Sequence, residues 1–234
     1  MDSIHNQEYK EFEHIVIDGL STDDSLAIVK EYPVTLISEK DKGQTDAINK
    51  GFKLAKGEIL AWQNADDVYL PGAFETVATF FSNNPDIDIV YGSYQIIGPR
   101  SNWVCDVHVQ PWNNWKYAHG RFVPMQTTVF WRRSVYEKYP LLNIDLHYCM
   151  DVDFFAKASK NFKYKSINVF LGQFRIHEES KTHTPSNRTA IIKEMREVLA
   201  RNYNYNALDH FLFSFFIMRS RLASQVKMRF LRKF

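Results

Sequence analysis

Short apolar runs alternate with amphipathic helical runs along the first two-thirds of this chain, and that alternation limits the folds open to it. "HIVID" (14–18) reads as a strand. "STDD" (21–24) then opens a helical stretch, with Ser21 and Asp24 spaced like a capping box. Leu26, Val29 and Tyr32 share a face until Pro33 ends the helix, and "VTLIS" (34–38) is the next strand. Within 41–57, Ile48, Phe52 and Ala55 recur at helical spacing, and Gly57 stops that helix before the strand "EILAW" (58–62). Phe74, Val77, Ala78 and Phe81 mark a further amphipathic helix, and "IDIVYGSY" (87–94) a further strand. Helices that cross over between strands predict an α/β sheet flanked by helices.

From 98 to 120 the regularity fails. The segment is rich in Trp, Asn, Pro and Gly, and is expected to run as one long excursion over the sheet, a loop length usually kept for a site. "TTVFW" (127–131) resumes the strands, 132–139 reads as a short helix, and 150–161 is helical with Asp151 and Asp153 in its first turn. The stretch 167–182 begins as a strand and ends in a polar loop.

The remainder changes character, so the expected division is an α/β domain over 1–186 and a helical extension over 187–234. "RTAIIKEMREVLARNY" (188–203) is a plain amphipathic helix. In 207–234 an apolar cluster precedes Arg219, Arg221, Lys227, Arg229, Arg232 and Lys233. A basic, aromatic helix of this kind can lie in a membrane interface; the competing reading is a terminal helix docked on the domain, or a dimer contact.

Composition narrows the function classes. With 45% hydrophobic and 15% aromatic residues the 234-residue chain can build a sizeable core, and a net charge of +2 argues against a dedicated nucleic-acid binder. Cys105 and Cys149 are isolated, without metal-ligand spacing, which suits a reducing compartment. The first 14 residues carry no apolar signal-peptide core, and no run reaches the roughly 18 apolar residues of a spanning helix. The expected location is the cytoplasm, at most peripheral on the inner membrane face.

In open α/β sheets ligands bind beyond the carboxyl ends of the strands. Acidic residues collect where such a site should lie. Asp18 ends the first strand, Asp41 follows the second, Asp66 and Asp67 follow the third in "WQNADDVY", and Asp151 begins a later helix. Each has a plain structural explanation. Asp18 could bond local amides, Asp41 could cap the next helix, Asp66 and Asp67 could sit in a solvated turn, and Asp151 could favour a helix dipole. Together they suit a cation-assisted site that holds an anionic leaving group beside a carboxylate base.

Five words in the chain, in this order, resemble glycosyltransferase family 2, the inverting nucleotide-sugar enzymes of GT-A type fold. They are "FEHIVIDGLSTDDS" (12–25), "ISEKDKGQTDAINKGFKLAKGEILAWQNADDVYLPGAFE" (37–75), "TVFWRRSVYEKY" (128–139), "MDVDFF" (150–155) and "FRIHEESKT" (174–182), and the likeness covers 1–186. The resemblance implies a Rossmann-like mixed sheet flanked by helices. It implies a UDP-, GDP- or dTDP-sugar donor, a glycan or lipid-linked acceptor, and Mg²⁺ or Mn²⁺. Asp18 and Asp41 would contact the nucleoside. Asp66 would hold the ribose and share the metal with Asp67, which is favoured as its main ligand; Asn64 stands where many relatives carry another aspartate. Asp151 would be the catalytic base. His177 and Arg175 would close over the diphosphate or complete the metal shell, and Gln126 would touch the acceptor. The product would enter surface polysaccharide or glycolipid synthesis.

One departure from the pattern bears on the fold. Relatives open with an apolar strand and loop, and here Met1 falls inside the helix that follows them. That strand would lie between "HIVID" and "EILAW", so the two must either pair directly or flank a gap. The expectation is a weakly stable chain with little transferase activity, or a non-catalytic relative that binds nucleotide or sugar. A metal-dependent phosphoryl- or nucleotidyl-transfer enzyme using the same carboxylates is a third reading.

Overall fold

The computed structural model describes residues 1–178, 180–181 and 184–231, except for the side chains beyond Arg219 and that of Pro185. Along the first half run α1 (Asp2–His5), β1 (Ile15–Asp18), α2 (Ser25–Val29), β2 (Thr35–Ser38), α3 (Gln44–Leu54), β3 (Ile59–Leu60), β4 (Val68–Tyr69) and α4 (Ala73–Asn83). Then come β5 (Ile89–Ile97), β6 (Trp103–Val107), α5 (Asn114–Ala118), a 3₁₀ turn (Gln126–Thr128), β7 (Val129–Arg132) and α6 (Arg133–Lys138). The chain continues through α7 (Met150–Ala158), β8 (Tyr164–Arg175), α8 (Arg188–Tyr203) and α9 (Ala207–Leu231).

The main sheet is mixed, in the order β3-β7-β5-β8-β4, with β6 added on β5. β5 and β8 pair in parallel, while β7 runs antiparallel to both β3 and β5. Ile89, Val90 and Tyr91 of β5 are all buried, as befits a central strand covered on both faces. One core gathers Phe52, Tyr91, Trp131, Phe155, Leu199 and Phe213. The other gathers Tyr69, Val77, Phe81, Val90, Phe130 and Leu171.

β1 and β2 form a separate parallel pair. Of the two outcomes open to "HIVID" and "EILAW", the gap is the one found. Among the described residues β1 pairs only with β2, and β3 only with β7. Between them lies a cavity of about 1080 Å³, walled by Ile17 of β1 and Leu60 of β3, with Phe52 of α3 and Val77 of α4 also lining it.

Three local expectations change. The 98–120 stretch is not one irregular excursion: it holds β6 and α5. β6 was hidden because its hairpin is built from turn residues, with Gly98 N–H donating to the Asn102 carbonyl (2.8 Å) and Ser101 at φ 60°. After it, Trp112 stacks on Tyr164 with ring centroids 3.8 Å apart and closes over the core. The Ser21–Asp24 capping box does not form either, because the Ser21 amide is taken by Asp18 (3.2 Å) and α2 is only five residues long. Finally, no strand is expected over Val68 and Tyr69, yet they pair with Gln173 and Gly172 of β8.

The C-terminal helices pack on the same core. Val198 and Leu199 of α8 and Phe213 of α9 are buried in it, and Asp209 of α9 meets His119 at 3.1 Å. The other face of α9 leaves Leu208, Phe211 and Met218 exposed. Among the described residues no helix is long and apolar enough to cross a membrane. Of the six basic residues expected there, Arg219 lies over the Phe215 ring (5.8 Å). Arg221, Lys227 and Arg229 belong to α9 without described side chains, and Arg232 and Lys233 lie outside the described residues.

Candidate active site

The adjacent acids after β3 face opposite ways. Asp67 immediately precedes β4, which turns its side chain inward, and it is only 6% exposed. Its Oδ2 accepts from Thr127 Oγ1 (2.6 Å) and Asn64 Nδ2 (3.0 Å), and its Oδ1 accepts from the Arg175 amide (3.0 Å). Burial pushes the Asp67 carboxyl up from its ordinary value, against the pull of the Thr127 and Arg175 bonds. Both oxygens are occupied. Asp66, with its side chain 38% exposed, instead meets His177, whose Nε2 faces Oδ2 at 2.9 Å. The geometry therefore favours Asp66, rather than Asp67, as the carboxylate that can face a ligand.

Arg175 and Gln126 are committed elsewhere than expected. The Arg175 guanidinium donates to the Asp66 carbonyl (2.8 Å), the Gly98 carbonyl (3.1 Å) and Ser101 Oγ (2.9 Å). It fastens the acidic turn to the β5–β6 hairpin, leaving little of it for a diphosphate. Gln126 is buried, with Nε2 donating to the Trp62 carbonyl and Oε1 accepting from Asn64 (3.4 Å), so it supports the turn from within. Two residues not singled out by sequence join the rim. Gln44, opening α3, donates to Asn64 Oδ1 (2.9 Å) and accepts from Lys181 Nζ (3.3 Å), which draws the loop after β8 across to α3. The only sign of them was their place inside two of the quoted words.

Asp18 and Asp41 come together at the ends of β1 and β2. Asp18 accepts from the Leu20 amide (3.1 Å), the Ser21 amide (3.2 Å) and Ser38 Oγ (2.7 Å), and these bonds, led by Ser21, hold its carboxyl below the usual range. Asp41 accepts from the Gly43 amide (2.8 Å) while its Oδ2 lies against Gly19, where any Cβ would collide with it. Glycine at 19 leaves room for the second carboxylate, which a larger residue would push aside. The cavity reaches from Ile15 and Ile17 of β1 to Asn64 and Asp66 of the acidic turn, while Asp18 and Asp41 are not among the residues that line it.

Asp151 opens α7. Its Oδ1 accepts from the adjacent Val152 amide (2.8 Å). Burial, with Glu194 nearby adding to it, pushes its carboxyl up to about 6. Asp151 shares a helix face with Phe154 and Phe155, which pack on Trp62 with ring centroids 6.4 and 6.3 Å away. Trp62 and the Gln126 bridge lead from there to Asn64 and Asp67, so α7 is seated on the strand that carries the acidic turn. Asp153 points away, buried between Lys157 (2.6 Å), Arg201 (2.8 Å) and Asn202 (2.8 Å). Burial opposes its ionisation, but those bonds hold its carboxyl below the usual value.

Asp66 and His177 are the residues that could hold a divalent ion, a carboxylate and an imidazole 2.9 Å apart and each partly exposed. Such a set suits Mn²⁺ better than Mg²⁺. Two protein ligands suffice where substrate phosphates complete the shell. No group of three or more His, Cys, Asp or Glu positioned for a metal exists among the described residues.

A mixed sheet with carboxylates gathered at strand ends is the layout of an α/β domain that binds its ligand beyond those ends. Residues 1–135, more than half the chain, match the profile of glycosyl transferase family 2, and the chain belongs to that family. It is 25% identical to an uncharacterised glycosyltransferase of Methanocaldococcus jannaschii, over 75% of this chain and 64% of that one. It is 28% identical to another of Rickettsia prowazekii, over 80% and 62%. The chain therefore spans a little under two-thirds of the length of these relatives. Staphylococcus aureus TarS in complex with UDP-GlcNAc superposes with a TM-score of 0.66 at 17% identity, covering 92% of this chain and 66% of that one. A mannosyltransferase of Pyrobaculum calidifontis in complex with GDP-Man and Mn²⁺ gives 0.60 at 15% identity, covering 100% and 75%. The fold is the GT-A type.

Proposed function

We propose that this chain transfers a sugar from a nucleotide-sugar donor to a hydroxyl acceptor by single inverting displacement, in surface polysaccharide or glycolipid synthesis. The observation that carries the reading is Asp151: a carboxylate in the first turn of a helix, its proton affinity raised toward neutrality, and its helix packed through Phe154 and Phe155 on Trp62, just ahead of the acidic turn. A base so placed takes the proton from the acceptor hydroxyl as that oxygen attacks the anomeric carbon. Asp18 and Asp41 would hold the nucleoside, with Asp66 and His177 turned toward the diphosphate. A divalent cation bound there would neutralise charge on the departing diphosphate. Asp67, Arg175, Asn64 and Gln126 keep the acidic turn rigid. Two neighbours crystallised with UDP-GlcNAc and with GDP-Man support the nucleotide-sugar class. Incubating the chain with a panel of UDP-, GDP- and dTDP-sugars and analysing the products tests it.

The exposed face of α9 supports a peripheral membrane location, on the cytoplasmic side, near a lipid-linked acceptor. Leu208, Phe211 and Met218 supply apolar contact and Arg219 begins the basic run.

The cavity between β1 and β3 favours a second reading, nucleotide binding without turnover, since one wall of the concave surface is open. Calorimetric binding of a nucleoside diphosphate with no transfer from any sugar nucleotide would select it.

A further inference from the structure

Glu194 lies on α8, far in sequence from every acidic residue at the strand ends, yet its carboxylate reaches the turn that enters α7. Oε1 accepts from the amides of Tyr148 (2.7 Å) and Cys149 (2.7 Å), and Oε2 from the amide of His147 (3.1 Å). Three successive backbone donors converge on one side chain. His147 and Tyr148 lie in the turn that enters α7, and Cys149 is its N-cap, whose amide has no intrahelical acceptor and whose side chain makes no cap bond of its own. Glu194 therefore caps α7 from another helix, two residues from Asp151.

We propose that Glu194 is the positioning residue for Asp151, fixing the turn that delivers it and so the orientation of its carboxylate; this rests on the reading of Asp151 as the base. Glutamine could accept from Tyr148 and Cys149 through its single oxygen but not also from His147, because its other terminal atom is a donor. Glutamate engages all three amides and in addition sets a like charge beside Asp151 that opposes its ionisation. The other titratable groups facing Asp151 are Tyr117 of α5 and Cys149, both held neutral by burial, so Glu194 supplies the charge. α8 does not depend on this contact for its place. Arg201 and Asn202 hold Asp153, Tyr203 meets Ser159 Oγ at 2.9 Å, and Val198 and Leu199 are in the core. Variants at 194 should therefore fold.

The test uses the whole chain with Glu194→Ala and Glu194→Gln. In Glu194→Ala, hydrogen exchange of the amides 147–149 should speed up by about tenfold or more, as expected for losing bonds to a charged acceptor, with the amides of β5 unchanged. In Glu194→Gln, the Asp151 carboxyl followed by ¹³C NMR should titrate at lower pH than in the parent. Where transfer is measurable, the acid limb of kcat should move down with it while the donor KM stays within about twofold. Unchanged exchange in the alanine variant, or an unmoved Asp151 titration in the glutamine variant, would overturn the proposal. Absence of transfer by the parent chain would count against the enzymatic reading alone, because exchange and titration decide the role of Glu194 without turnover.

Discussion

Asp66 and His177 lie 111 positions apart in sequence and 2.9 Å apart in space, carboxylate Oδ2 against imidazole Nε2. Their neighbour Asp67 has both oxygens bonded inside the protein. The two acids should thus respond differently to removal. Asp66→Ala is expected to abolish the divalent-ion dependence of nucleoside diphosphate binding in a chain that stays folded. Asp67→Ala should chiefly destabilise, by about 1–3 kcal/mol, because Thr127, Asn64 and the Arg175 amide lose their acceptor. Calorimetry with and without Mn²⁺, paired with urea melts, separates these outcomes; a stable Asp67→Ala variant that loses metal dependence would reverse the assignment.

Asp151→Asn should leave nucleotide affinity intact and lower turnover by about 10²–10⁴, the range for a lost general base. The parent kcat should rise with pH through about 6, as the base loses its proton. Stability follows the opposite sign. The folded-state value is raised above the unfolded one, so the folded chain binds the extra proton between about 4 and 6, and stability falls as pH rises through that window. At pH 7 the asparagine variant, which carries no such penalty, should therefore be more stable than the parent, by about 1–3 kcal/mol. Equal melting curves at pH 7 would show that Asp151 is less enclosed than described.

The order of strands and helices was legible because apolar runs and helical periodicity alternate as far as 94. β6 and α5 were not, since hairpin and cap residues masked two short elements held by distant contacts, β6 by its pairing with β5 and α5 by the burial of Tyr117. Acidic residues at strand ends could be picked out; which of Asp66 and Asp67 turns inward could not, because that depends on the pairing of Val68 with Gln173 far along the chain. Arg175 and Gln126 looked like ligand-facing groups because sequence does not reveal the carbonyls that occupy them. Glu194 was invisible for the same reason, as one charge on a plain amphipathic helix.

The exposed side of α9 should carry vesicle binding. Phe211→Ser with Met218→Ser removes apolar surface from that side and leaves Phe213 and Asp209 docked. Sedimentation with anionic phosphatidylglycerol vesicles should fall several-fold in the double variant, and added salt should weaken the parent as well. If the parent never sediments with these vesicles, α9 is a docking helix or a dimer contact.

The gap between β1 and β3 should cost stability. Among the described residues β1 pairs only with β2 and β3 only with β7, so each has an edge toward the cavity, and each backbone group buried there without a partner would cost roughly 1–3 kcal/mol. Residues 1–234 alone are expected to unfold below about 55 °C, in the lower half of the usual range. A cooperative transition above 55 °C for the chain as it stands, with full transfer activity, would contradict this.

The stereochemistry of the transferred sugar tests the central claim most directly. With the donor that the chain accepts, proton NMR of the earliest product should show an anomeric configuration opposite to that of the sugar nucleotide, and Asp151→Asn should form that product at least about a hundredfold more slowly. Retained configuration, or transfer by Asp151→Asn at the parent rate, would contradict single displacement with Asp151 as the base.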